Sequence, residues 1–456
     1  MNRKSHATPA ILFLALLAIF LVSRVHQVAD SNYSMLLSQS LLQHRSFTLD
    51  AYNLPRLPPK PQVGYISDGD IYQLEIVDGH LYYFFPPASS ILSLPYVAIM
   101  NLIGISAANS DGTHNARGEG IIEVSLAALL MSGLGVMIFI TARLFLSWGW
   151  SLLVVVSAAL GTQVWSTASR ALWSDTWGIF ILGIVLFLLT RAAVKKIDPQ
   201  PIVLATLLSW LYFVRPTFST VVIATTFYVL IYHRRTVLRF AVTGILWAGL
   251  FIGYSEYQFH RLLPNYYQVG RLSFSTFWLA LAGNLISPSR GLFIFVPVLM
   301  VVVYLLIRYG QHVKLGRLVI LSSAVIVMHV VVVSGFVPWW GGHSFGPRYT
   351  TALVPWFSLL GILALDARLS APANVLPSST MRVAESVLAI ALLLVSVAIN
   401  GVGANSHRAW QWNVRPVNVD EKPDRIWDWR DPQFLAACLP MQKLAIGENQ
   451  ARSALH

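Results

Sequence analysis

Two acidic residues and a set of arginines, each close to aromatic or glycine residues, carry most of this chain's capacity for chemistry. Asp30, in VADSNYSMLL, lies within a turn of the end of an apolar run. A carboxylate there reads either as the cap of a helix expected over residues 33–44, or as a general base whose partial desolvation raises its pKa. Asp175, in STASRALWSDTWG, opens a later apolar run, with Arg170 and Trp173 just before it. It caps that run or faces the same cavity as Asp30, and Arg170 suits a phosphate or carboxylate partner. Arg215, in FVRPTF, sits between two apolar stretches and needs an anion beside it, an internal carboxylate or a bound phosphate. Arg290 follows in SPSRGLF, and PWWGGHSFGPRYT supplies Trp339, Trp340, His343, Arg348 and Tyr349. Aromatic residues of this kind form interfacial belts, but they also stack on sugar rings, while Arg348 and His343 suit a phosphate. Asp68, Asp70, Glu75 and Asp78 crowd one stretch with Gly69 and Gly79, which suggest the turns of a small hairpin. Asp68 and Asp70 offer oxygen ligands to a divalent cation, with a solvated acidic loop as the competing account. Asn32-Tyr33-Ser34 fits the short glycosylation-acceptor pattern.

The elements that position these residues are apolar. Of 456 residues, 55% are hydrophobic and 11% charged, too little charge to cover a soluble protein of this length. Runs of spanning length recur throughout, so this is not one anchor on a soluble body. Residues 1–26 resemble a signal peptide without a small-residue cleavage site and read as an uncleaved first helix. A single cysteine, Cys438, excludes an intramolecular disulfide and a thiolate metal site. There is no nucleophile elbow, P-loop, dinucleotide fingerprint or zinc spacing.

The periodicity predicts an all-α polytopic membrane protein with about eleven spans: 9–26, 121–142, 148–165, 175–191, 200–214, 217–233, 236–254, 291–307, 318–334, 352–366 and 384–401. The fifth and sixth are short and separated only by Arg215-Pro216, a broken or tilted pair. With the N-terminus inside, the basic residues of short loops, such as Lys195, Lys196, Arg234, Arg235, Lys314 and Arg317, fall on the cytoplasmic side. Only Asp198, Asp366 and Glu385 among the acids join them. The net charge of +12 is therefore a topology signal rather than a nucleic-acid footprint. Keeping this parity requires residues 86–104 and 272–286 to lie at the interface or re-enter. The pattern of residues 33–44 reads as an amphipathic helix lying on the membrane. The chain then divides into a membrane domain over 1–401, with an elaborated outer loop at 27–120, and a short extracytoplasmic tail over 402–456.

In order along the chain, Asp30, Phe85-Pro86-Pro87, GTQVWSTASRALWSD, Arg215-Pro216, SPSRGLF, WWGGHSFGPRYT and RIWDWRDPQF resemble the bacterial GT-C glycosyltransferases. These are the membrane class that uses polyprenyl-phosphate-linked sugars, related to the aminoarabinose and protein mannosyltransferase types. The resemblance implies a GT-C-like helical bundle in the inner (plasma) membrane, N-terminus cytoplasmic and C-terminus outside. It implies Asp30 as the base that activates an acceptor hydroxyl, supported by Asp175. Arg170, Arg215, Arg290, His343 and Arg348 would hold the donor phosphate. Tyr33, Trp173, Trp339, Trp340 and Tyr349 would contact sugar or acceptor. The acceptor would be a lipid, a polysaccharide or a protein such as a pilin. A divalent cation, Mg or Mn, is the cofactor the family suggests, although Ser31 stands where several members carry a second acid. The tail is too short for a soluble carbohydrate-binding domain, which favours addition of one sugar over processive synthesis. A lipid-sugar flippase would need polar residues within the spans and an inverted repeat, and an O-antigen ligase or polymerase type would use arginine and histidine without an essential carboxylate.

Overall fold

The computed structural model describes residues 4–55, 71–268, 270 and 272–438. Apolar runs with little Gly or Pro satisfy their own backbone as helices, and nearly all regular structure here is helical. Among the described residues, six helices are long and apolar enough to cross a membrane: Ala116–Ala142 (α4), Ser174–Lys195 (α6), Arg234–Phe259 (its α part α9, Val237–Phe259), Gly316–Ser334 (α13), Arg348–Leu369 (its α part α14, Val354–Leu369) and Ser379–Asn405 (α15). Helices α4 and α14 are the most buried of these and α9 the least. Helix α4 packs on α1 (Lys4–Val22), α5 (Trp148–Leu160) and α6, and α14 packs on α5, α6, α12 (Leu299–Tyr309) and α13.

Several expected spans are shorter than read. The first helix stops at Val22, and α5 gives way to a π-turn over Val164–Ala168. The pair around Arg215 consists of two 14-residue helices, α7 (Pro201–Val214) and α8 (Ser219–Tyr232). Arg215 is extended (φ −160°, ψ 124°), as a residue before proline must be. The run expected over 291–307 is divided by Pro297 into α11 (Leu292–Phe295) and α12. The break is repaired by α15, whose Ser396 Oγ accepts from Val298 N at 3.0 Å and whose Asn400 Nδ2 donates to Phe295 O at 3.0 Å. Residues 86–104 form the short helix α3 (Ala88–Leu102), and residues 272–286 contain α10 (Phe277–Ile286).

Helix α2 (Ser34–Gln43) does not lie on a surface as its pattern suggests. Every residue from Ser34 to Ser40 is buried, between α3 and α4. The expected hairpin exists as Leu74–Val77 (β1) paired antiparallel with His80–Tyr83 (β2). Asp78 and Gly79 have φ of 51° and 85°, the left-handed pair that a two-residue hairpin turn requires. Asp68, Asp70 and Gly69 lie outside the described residues.

The loops that charge assigns to one side meet at one end of the bundle. His233 pairs with Asp198 at 2.7 Å, Lys314 with Asp366 at 3.0 Å and Arg368 with Glu385 at 3.2 Å. At the other end, Asn265 Nδ2 donates to Glu75 Oε2 at 2.7 Å and Gln163 Nε2 to Thr350 Oγ1 at 3.1 Å. Asp30, Asp175, Arg215 and Arg348 belong to that second end.

Candidate functional site

Asp30 sits on the helix-free segment between α1 and α2, and that segment is tied at many points. Val25 N donates to Ala404 O at 3.0 Å, and Gln27 Nε2 to Ser166 O at 2.7 Å. Asp30 is not the cap of α2. The residue at the cap is Tyr33, in a left-handed conformation (φ 73°). The free N–H groups there go to Glu119 of α4, which accepts from Tyr33 N at 2.9 Å, Met35 N at 2.7 Å and Leu36 N at 3.2 Å. The Asp30 side chain is therefore left to other partners. Its carboxylate accepts from Tyr72 Oη at 2.9 Å and from Arg348 Nη2, while its carbonyl accepts from Tyr83 Oη at 2.7 Å. It remains 24% exposed in an otherwise buried neighbourhood. Burial, with the Asp30 carboxylate adding to it, pushes the Tyr72 phenol far above its usual pKa, so Tyr72 stays a donor.

Arg348 is buried and starts the turn that leads into α14. Its guanidinium carbon lies 3.7 Å from the centre of the Trp173 ring, and Nη1 reaches Gly341 O at 3.4 Å. Among the described residues Arg348 Nε and Trp173 Nε1 have no hydrogen-bond partner although both are buried. Two residues after Trp173, Asp175 in the first turn of α6 pairs with Arg215, and both side chains are almost fully enclosed. Arg215 also faces the ring of Tyr349 at 5.8 Å. Tyr349 O accepts from His329 Nε2 of α13 at 2.9 Å. Arg348-Tyr349 thus joins two ion pairs, Asp30–Arg348 and Asp175–Arg215, into one cluster drawn from four distant parts of the chain. Six predicted residues meet there: Asp30, Trp173, Asp175, Arg215, Arg348 and Tyr349.

The other predicted residues do different work. Arg170 is fully buried and donates to Ser23 O at 3.1 Å, to Phe20 O and to Ser169 Oγ at 3.1 Å. It closes the C-terminal end of α1 rather than facing a phosphate, and burial lowers its pKa to about 10. Arg290 donates to Trp340 O at 3.0 Å, Ser289 O at 2.7 Å, Gln433 Oε1 at 2.7 Å, Gly342 O at 3.2 Å and Asn413 Oδ1 at 2.8 Å. These occupy all five guanidinium N–H groups, so none is left for a ligand. Burial lowers its pKa to about 9. Trp339 is buried over Gly283, where an added Cβ would lie 2.2 Å from its ring. His343 and Trp340 form a half-exposed rim with the tail: His343 meets Asn418 Oδ1 at 2.8 Å and Trp340 Nε1 donates to Asp420 Oδ1 at 2.7 Å. Tyr33 packs on His114, ring centres 4.4 Å apart.

Sequence reading missed Glu119 and Glu123. Both are fully buried on one face of α4, and Glu123 accepts from Ser31 Oγ at 2.7 Å and Ser34 Oγ at 3.3 Å. The signal was present as two glutamates four apart at the mouth of an apolar run, where an unpartnered acid is costly. Tyr72, Tyr83 and His329 carried no pattern that set them apart. Among the described residues, no group of three or more His, Cys, Asp or Glu comes together as a metal site. No protein-family model matches the chain, and no curated protein is similar to it.

Proposed function

We propose that this chain is a membrane glycosyltransferase of the GT-C type. It moves one sugar from a polyprenyl-phosphate donor to an acceptor hydroxyl at the extracytoplasmic rim. The observation that carries the reading is the convergence of the partly exposed Asp30 with Arg348, Trp173 and the Asp175–Arg215 pair. A lipid phosphate entering beside Arg348 competes with Asp30 for the guanidinium and satisfies its unpartnered Nε. Asp30, released, takes the proton as the acceptor oxygen bonds to the anomeric carbon. The bond from that carbon to the phosphate oxygen breaks, the lipid phosphate leaves with the electron pair, and the configuration inverts. Trp173 holds Arg348 from behind, so the charge that stabilises the leaving phosphate is preorganised. Asp175 keeps Arg215 and Tyr349 in register with that site. The phosphate-binding set narrows to Arg348, with Arg215 behind it, because Arg170 is fully buried against the end of α1, Arg290 has all five N–H groups committed and His343 faces the tail at Asn418.

The test is Asp30→Asn, assayed in membranes with defined polyprenyl-phosphate sugars and checked for normal expression and melting. Loss of transfer with wild-type folding supports the mechanism. Full transfer points to a ligase-type enzyme without an essential carboxylate. No transfer from the wild-type chain with any of these donors would overturn the reading.

A further inference from the structure

A second site lies at the other end of α2, a helix of ten residues and so about 15 Å long. It is an open cavity of about 350 Å³, between the end of α2, the turn at 51–53 and the loop at 106–112. Its size falls within the range of small-molecule sites, about 300–1,000 Å³. Among the described residues, no Asp, Glu, Lys or Arg lines it. The one acid on the same loop, Asp111, is turned to Thr113, accepting from its N at 2.9 Å and its Oγ1 at 2.6 Å.

The walls are fixed. Gln39 Oε1 accepts from Ser106 Oγ at 2.9 Å and Ala107 N at 3.0 Å, which ties the loop to α2. Asn53 N donates to Gly112 O at 2.9 Å, which ties the turn to the loop. The groups left over are uncharged and polar. Tyr52 is part of the lining, and its hydroxyl is buried with no hydrogen-bond partner among the described residues. The His44 ring stands edge-on to Tyr52, centres 5.6 Å apart, and His44 and Gln43 are exposed at the mouth. Asn109 and Ser110 face them from the loop side.

This lining narrows the ligand. An anion would need a cation and a cation a carboxylate; an acyl chain would need apolar walls. Amides, hydroxyls and one aromatic face suit a neutral ring carrying many hydroxyls on apolar C–H edges. We infer that this cavity binds a neutral sugar residue, at a site separate from the Asp30 cluster. A sugar held here sits beside the proposed transfer site without taking part in it, so its binding is measurable without any transfer.

The test is saturation-transfer NMR on the full chain in lipid nanodiscs. The probes are methyl α-mannoside, methyl β-glucoside and N-acetylglucosamine, with inorganic phosphate as competitor. Ring C–H protons of at least one sugar should receive saturation, and phosphate should not displace it. The signal should persist in Arg348→Ala, which disables the other site. Tyr52→Phe keeps the ring and should weaken binding about fivefold, the worth of one hydrogen bond. The exposed pair Gln43→Ala and His44→Ala, which leaves the core untouched, should weaken it further. Absence of saturation for all three sugars, displacement by phosphate, loss of the signal in Arg348→Ala, or a signal unchanged in Tyr52→Phe and in the exposed pair would overturn the inference.

Discussion

Arg348 donates to the Asp30 carboxylate from 318 positions further along the chain, with the Trp173 ring against its other face. The first loop and the turn that leads into α14 are therefore fastened together at a carboxylate that stays in partial contact with solvent.

Replacing Arg348 tests both roles of that contact. Arg348→Ala should lower kcat/KM for sugar transfer by about 10²–10³, the usual loss of one preorganised donor at a developing charge. Arg348→Lys should recover only a small part of it, since an ammonium lacks the planar face that Trp173 holds. Steady-state kinetics with a polyprenyl-phosphate donor decide this, and a lysine variant with full activity would count against the geometry.

The Asp175–Arg215 pair is enclosed, so breaking it leaves a charge without a partner. Asp175→Asn or Arg215→Met alone should cost about 3–5 kcal/mol. The double change Asp175→Leu with Arg215→Met should cost less than either single one. Thermal unfolding in detergent measures the difference, and additive losses would mean that the two side chains are not coupled.

Glu119 holds three N–H groups at the start of α2 and also meets His114. Glu119→Ala should destabilise the protein by about 3–5 kcal/mol, because several buried donors lose their acceptor at once. Glu119→Gln keeps an acceptor oxygen and should be milder. Hydrogen exchange at Met35 and Leu36 locates the effect: equal protection in the alanine variant would show that the contact is dispensable.

The hairpin carries a pH dependence. Partial burial raises the Asp50 carboxyl, but hydrogen bonds from Leu81 N, His80 and Thr48 outweigh it and hold its pKa below the ordinary 3.8. The contribution is complete above that ordinary value and disappears as pH falls through the lower folded-state value. Amide exchange at Leu81 should therefore accelerate in acid, below about pH 4. Asp50→Asn should remove that acceleration; a profile identical to wild type would refute the assignment.

How far the sequence could be read depended on the kind of partner each residue finds. Asp175 and Arg215 stand at the ends of apolar runs, where an ion must have a counter-ion, so their meeting was foreseeable. Arg170 and Arg290 looked the same in sequence. Their partners are main-chain carbonyls and amides, and nothing in a residue's own neighbourhood announces a carbonyl 150 positions away. Helix α2 had an amphipathic pattern, yet its serines are buried because Glu123 and the Ser90 carbonyl receive them. Span lengths failed where proline intervened, at Pro297, and where a π-turn ended α5 early.

Helices α7 and α8, at 14 residues each, are only about 21 Å long, against a hydrocarbon layer of about 30 Å. With their basic ends at the head-group level of one face, the Arg215 tip falls some 9 Å short of the other. A bilayer that meets this pair would have to thin by that difference, bringing its head groups down toward the Pro216 end while Arg215 itself stays enclosed beside Asp175. Lengthening α7 and α8 by one turn each would remove that demand on the bilayer.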